Sequence, residues 1–123
     1  MKKSELFDTL MNKVCEVCEV CSTDIIRGCR SQNVVDARML LVQYLRKGGL
    51  SNDDIARIFI RKVTGDTAPP MDVVKRKAKN IDRLYNEYMY RNNESHIFSL
   101  MSDDINSFCR EFYNQSAIQL CIA

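Results

Sequence analysis

The sequence predicts an all-α fold: a compact helical domain with a helix-turn-helix and extra helices toward its C-terminus. Three observations predict it. Apolar residues recur at helical spacing along most of the chain, Ser, Asp, Gly and Pro sit where helices start or stop, and no stretch alternates apolar with polar residues as a half-buried strand does. With 123 residues, 46% of them hydrophobic and 28% charged, the chain suits one domain around a modest core. Residues 1–91 are expected to form the helix-turn-helix domain, and 92–123 an acidic helical extension packed on it.

In the first helix, Ser4 to Cys21, the residues Leu6, Leu10, Val14, Val17 and Cys21 recur about every 3.6 positions and form the inward stripe. The same segment carries Cys15, Cys18 and Cys21 as C-x2-C-x2-C, with Cys29 beyond, a spacing shared with some iron–sulfur sites. A helical step of about 100° sets Cys15 and Cys21 about 120° apart around the axis, so three thiolates do not converge on one ion. Reduced thiols filling a core are the better reading, with no metal or cofactor expected. His96 has no Cys or Ser partner at motif spacing and reads as an ordinary residue.

A short helix follows, capped by Ser22-Thr23-Asp24 and running through Cys29, then the polar corner Arg30-Ser31-Gln32-Asn33. From Asn33 to Lys47, Val34, Ala37, Leu41, Tyr44 and Leu45 form an apolar stripe, leaving Asp36, Gln43, Arg46 and Lys47 outside. Gly48-Gly49 stops that helix, and Ser51 caps the next one, Asn52 to Phe59, with Asp53 and Asp54 in its first turn and Ile55, Ile58 and Phe59 inward. Two short amphipathic helices joined by a glycine turn make a helix-turn-helix pattern.

Arg61 to Ala68 reads as a polar loop, and Pro69-Pro70 starts the fifth helix, where a missing N–H costs little. Val74, Ala78, Ile81, Tyr85 and Tyr88 or Met89 supply its buried stripe, with Lys75, Arg76, Lys79 and Arg83 on the other side. Two last helices, Ile97 to Met101 and Asp103 to Tyr113, are separated by a capping Ser102.

The formal net charge of +2 hides a strong asymmetry. Between Arg27 and Arg83, thirteen Lys or Arg stand against six Asp or Glu, whereas from Asn92 onward Arg110 alone stands against Glu94, Asp103, Asp104 and Glu111. Such a distribution suits a polyanionic partner for the central region, although a merely solvated helical face would look the same. No apolar stretch approaches the ~18 residues of a membrane span. Acidic residues precede any long apolar run at the start of the chain, so no membrane partner is expected and the cytosol is the expected location.

The string Val20-Cys21-Ser22-Thr23-Asp24-Ile25, then Cys29-Arg30-Ser31-Gln32-Asn33-Val34-Val35-Asp36-Ala37-Arg38, then Tyr44-Leu45-Arg46, then Leu50 to Phe59, resembles the C-terminal DNA-binding domain (domain IV) of the bacterial replication initiator DnaA. That family belongs to the Trp-repressor-like helix-turn-helix group. The similarity runs from about Leu6 to Tyr88.

The resemblance implies duplex DNA as partner. Arg30 stands where the family has an arginine that enters the minor groove, whose negative potential attracts guanidinium. Arg38 and Arg46 match basic residues that contact phosphates, and Ser51 and Asn52 stand where the family's turn approaches the DNA backbone, with the Asn52 N–H an anion donor at a helix start. The chain also departs from the family. Its recognition-helix signature R-D-H-[ST]-T-V is not retained: Val74 matches the valine, preceded by Pro70, Met71, Asp72 and Val73, and Gln32 replaces a second loop arginine. Asp72 could accept from a cytosine amino group and Met71 touch a thymine methyl, while an exposed first-turn Asp also serves the helix dipole. No G-x-x-x-x-G-K-[ST] loop is present, so the resemblance implies the DNA-binding module without ATP-driven assembly.

The expected function is therefore duplex-DNA binding in replication or transcription control. Arg30 would enter the minor groove, the helix from Met71 to Arg83 would lie in or across the major groove, and Arg38, Arg46, Lys62, Lys75, Arg76 and Lys79 would meet phosphates. The alternative is a helical protein-interaction module using Tyr85, Tyr88, Met89 and Tyr90, with another protein held through the C-terminal helices. An enzyme with a small-molecule substrate is not expected, because the adjacent pairs Asp53-Asp54 and Asp103-Asp104 diverge on a helix instead of converging on a substrate.

Overall fold

The computed structural model describes residues 2–92 except 66 and 67. It is helical throughout: α1 Lys3–Cys18, α2 Ser22–Arg27, α3 Gln32–Lys47, α4 Asn52–Thr64 and α5 Met71–Asn92, with no strand among the described residues. The helices expected over 97–101 and 103–113, and His96, lie outside the described residues.

The first helix stops three residues earlier than its apolar period suggests. Glu19 adopts a left-handed conformation (φ 55°), and its N–H closes onto the Cys15 carbonyl. That turn rotates Cys21 off the stripe and into solvent, while Val17 is half-buried. The buried face is instead Leu6, Phe7, Leu10, Met11, Val14 and Cys18. The thiols accordingly divide: Cys18 is in the core, Cys15 at its edge, and Cys21 and Cys29 are exposed. Core filling describes only the first two.

Helix α2 also ends early, at Arg27, because Gly28 takes φ 77°. No side chain caps its start, where Cys21 is the N-cap residue. Helix α3 buries Val34, Ala37, Leu41, Tyr44 and Leu45 as expected, but Met39, Leu40 and Val42 as well, so it is covered on more than one side. Asp36 and Arg46 are half-buried, not outside it.

The break after α3 follows the sequence closely. Gly49 takes the positive φ (96°), and Ser51 closes a capping box: its Oγ accepts from the Asp54 N–H (3.1 Å) and its own N–H donates to Asp54 Oδ2 (3.1 Å). Lys3 reaches the same carboxylate at 3.0 Å and ties the first turn of α1 to the start of α4. Partial burial opposes ionisation of Asp54, but the Lys3 and Ser51 hydrogen bonds outweigh it and hold the carboxyl below its ordinary range.

Helix α4 runs past Phe59 to Thr64, so the first half of the expected Arg61–Ala68 loop is helical. Arg61 and Lys62 occupy its last turn, where cations favour the negative end of the helix, and Gly65 (φ 75°) ends it. Pro69-Pro70 then precede α5 as expected, with the Val74 N–H on the Pro70 carbonyl (3.1 Å).

The most extensive packing joins α4 to α5 and α1 to α3. Phe7 of α1 meets Phe59 of α4 edge to face, 5.3 Å between centroids at 87°. Between α3, α4 and α5, Arg46 forms a polar latch: Nε donates to Asn52 Oδ1 (2.9 Å), Nη2 to Asp82 Oδ1 (3.1 Å), and the guanidinium stacks 4.4 Å from the Tyr85 ring. Replacing Phe59 with Ala should cost about 3–5 kcal/mol in urea denaturation. Ser51→Ala, which loses only the cap, should cost about 1 kcal/mol. Equal costs would contradict a core joined through the Phe7–Phe59 contact.

Candidate functional site

A six-residue helix is too short to hold itself together, so α2 depends on its surroundings. Arg38 of α3 supplies them. Its Nε donates to the Ile25 carbonyl (3.1 Å) and its Nη2 to the carbonyls of Cys29 (3.0 Å) and Asp24 (3.4 Å), adding to the bonds that Ile25 and Asp24 accept from the Gly28 (3.4 Å) and Cys29 (3.1 Å) N–H groups at the end of the helix. Burial, opposed by the neighbouring Cys29, pulls the Arg38 pKa down from its usual value. The clamp fixes the corner that carries Arg30, which is exposed.

The α2–α3 corner faces α5 across an open groove of about 710 Å³. Arg30, Gln32 and Arg38 line one side; Lys77, Arg83 and Arg91 line the other. Val35, Met39 and Leu84 form its apolar part, and Glu87 brings in a carboxylate that Arg83 already engages at 3.3 Å. A second open depression of about 570 Å³ continues along α5 past Arg76, Lys77, Lys79 and Arg83, with Ile60 of α4 and Val73 beside them. Lys77 and Arg83 belong to both, so the cations form one continuous face.

Helical spacing produces this face. Steps of three and four from Val73 through Arg76, Lys77, Asn80, Arg83, Leu84, Glu87 and Arg91 stay on one side of α5, next to the buried row of Val74, Ala78, Ile81 and Tyr88. Lys77 leans its ammonium over the Phe59 ring (5.9 Å). Partial burial there, followed by the charge of Arg38, lowers its pKa. An anion in the groove would relieve both effects.

The expected site residues thus separate. Arg30, Gln32, Arg76, Lys79 and Arg83 come together along the groove face, and Lys77 and Arg91, not among the expected contacts, join them. Counting helical steps back from Arg83 to Lys77 and forward to Arg91 would have found both. Others are engaged elsewhere. Lys75 pairs with Asp53, and Lys62 with Asp8 at 2.8 Å beside a separate depression that holds Arg27 and Val63. Arg38, Arg46 and Asn52 spend their polar groups on the clamp and the latch, and Ser51 on its capping box. Met71 and Asp72 are exposed in the first turn of α5. Of the Asp53-Asp54 pair, Asp54 serves the cap while Asp53 holds Lys75.

Beside the groove, the Tyr88 hydroxyl donates to Asp36 Oδ1 at 2.5 Å, and Gln32 Nε2 donates to the same oxygen at 2.8 Å. Burial first, then the hydrogen bond to Asp36, raises the Tyr88 pKa. Burial, followed by the Asp36 charge, pushes the Cys18 thiol up from 9.0 to about 11. No cluster of three or more His, Cys, Asp or Glu among the described residues is placed to hold a metal ion, and none of their helices is long and apolar enough to cross a membrane.

Protein-family models, curated proteins and solved structures all give no match to this chain.

Two outcomes follow from the geometry. Arg38→Met should lower unfolding free energy by about 1.5–3 kcal/mol, because it removes the charged hydrogen bonds to the carbonyls of Asp24, Ile25 and Cys29. Hydrogen exchange should quicken first at Gly28 and Cys29; uniform quickening would count against a local clamp. In the unfolded chain the Cys18 thiol ionises near 9.0, and in the folded chain only near 11, so its contribution is complete below the lower value and is lost as pH rises through the higher one. Thermal melts of Cys18→Ala should therefore flatten between about pH 9 and 10 while retaining the fall above about pH 10 that Tyr88 produces.

Proposed function

We propose that this chain is a duplex-DNA-binding domain of helix-turn-helix type, similar to the C-terminal domain of the replication initiator DnaA and acting in replication or transcription control. The observation that carries the reading is the groove that brings Arg30, from the corner between α2 and α3, opposite the cationic side of α5. A loop arginine beside a basic helix suits an insertion into the minor groove flanked by phosphate contacts. Arg76, Lys77, Lys79 and Arg83 supply the phosphate side. Met71 and Asp72, exposed in the first turn of α5, are the groups offered to base edges.

The cations have unequal roles in this reading. Arg38 and Arg46 act from behind, holding the corner and the helix crossing, since each would have to give up internal hydrogen bonds to meet a phosphate. Lys62 and Lys75 meet DNA only by exchanging a carboxylate partner for a phosphate. The expected electrostatic core is therefore small: Arg30 with the four cations from Arg76 to Arg83.

Titration of labelled duplex DNA at several salt concentrations tests this. Log affinity should fall linearly with log salt, and Lys79→Ala should reduce the slope by about 1. Arg30→Ala should lose more affinity on A·T-rich than on G·C-rich duplex. Absence of binding at ~50 mM salt would overturn the reading, because counterion release is strongest there, and would favour the protein-interaction module.

A further inference from the structure

The groove between the corner and α5 is unusual for a surface meant only for phosphates. Its cations border an apolar strip in which Leu84 is 38% exposed and Val35 half-buried, over the buried Met39. Phosphates leave such a strip uncovered. An acidic segment with apolar residues beside its carboxylates would cover both.

The chain contains one directly after α5 in sequence. Residues 93–123 hold Glu94, Asp103, Asp104 and Glu111 against the single cation Arg110, and Ile97, Phe98, Leu100 and Met101 lie just before the Asp pair. They continue directly from α5, whose Arg91 lines one end of the groove. Reach is sufficient: the stretch from Asn92 to Asp103 can extend up to about 35 Å, and Arg91 to Arg76 covers about 23 Å of helix. Tethering at that end gives an effective concentration on the order of millimolar, so weak surface ion pairs can hold the segment.

We propose that residues 93–123 seat their acidic and apolar stretch in the groove between the α2–α3 corner and α5, where they compete with polyanions for Lys77 and Arg83 and, in the adjoining depression, for Lys79. The competition rests on the DNA-binding reading above; the seat does not. Occupancy is salt-dependent, because the contacts are exposed charges. At low salt the segment and DNA exclude one another, and the measured affinity is that of the exchange.

A zero-length carbodiimide cross-linking experiment on the full chain, mapped by peptide mass spectrometry, tests the seat without DNA. Links of Lys75 to Asp53 and of Lys62 to Asp8 are built-in controls, because these pairs are already in contact. The expected result is additional links from Lys77 or Lys79 to Asp103, Asp104 or Glu111 in the monomer, absent in the triple variant Asp103→Asn, Asp104→Asn, Glu111→Gln. Control links without these additions overturn the seat, as does their formation only between two copies. In duplex titration at low salt, the triple variant should bind about tenfold tighter than the unaltered chain, the gain expected from removing a few surface pairs. Equal affinity in the presence of the links overturns the competition. Absence of DNA binding by both proteins, with the links present, supports the seat and overturns the DNA reading and the competition together.

Discussion

The hydrogen bonds from the Arg38 guanidinium to the carbonyls at the end of α2 are what the candidate site depends on. Without them a six-residue helix is held by Ile25 in the core, Ile26 at its edge and the backbone bonds from Gly28 and Cys29, and the corner that follows is less firmly directed. With them, Gly28 makes its left-handed turn at a defined place, Arg30 faces α5 across the groove, and the Arg38 charge adds to the burial that lowers the Lys77 pKa. A single side chain thereby links a local backbone need to the electrostatics of a surface.

Arg46 does the same for the other half of the domain. Its contacts to Asn52, Asp82 and Tyr85 join the last turn of α3, the first residue of α4 and the middle of α5. The apolar core sets how closely these helices approach, and the directional bonds of the latch favour one crossing among those the core would tolerate. The cationic side of α5 inherits its orientation from that crossing.

Much of this was legible in the residues, and what was not has physical causes. The break between α3 and α4 could be read because it is local: a glycine takes the positive φ, and Ser51 and Asp54 cap one another three positions apart. The end of α1 could not, since the left-handed residue is Glu19, a type that gives no stop signal. Arg61 and Lys62 resembled loop residues but sit in the final turn of a longer α4, where the helix dipole welcomes them. Among the cations, the list was readable and the sorting was not. Whether an arginine faces solvent or a carbonyl thirteen residues away depends on tertiary position, and arginines are so often exposed that Arg38 and Arg46 look like surface residues in a one-dimensional reading.

That sorting makes the domain separable in the way an engineer or a drifting lineage would exploit. Arg30, Arg76 and Lys79 engage no carboxylate among the described residues, whereas Arg38 and Arg46 are bonded into three helices. The outer set can be exchanged for other polar side chains at little cost to folding, and the inner set cannot. The scaffold can therefore be kept while its preferred ligand is rewritten, and the first turn of α5, whose exposed Met71 and Asp72 sit outside both the clamp and the latch, is where retargeting meets the least resistance.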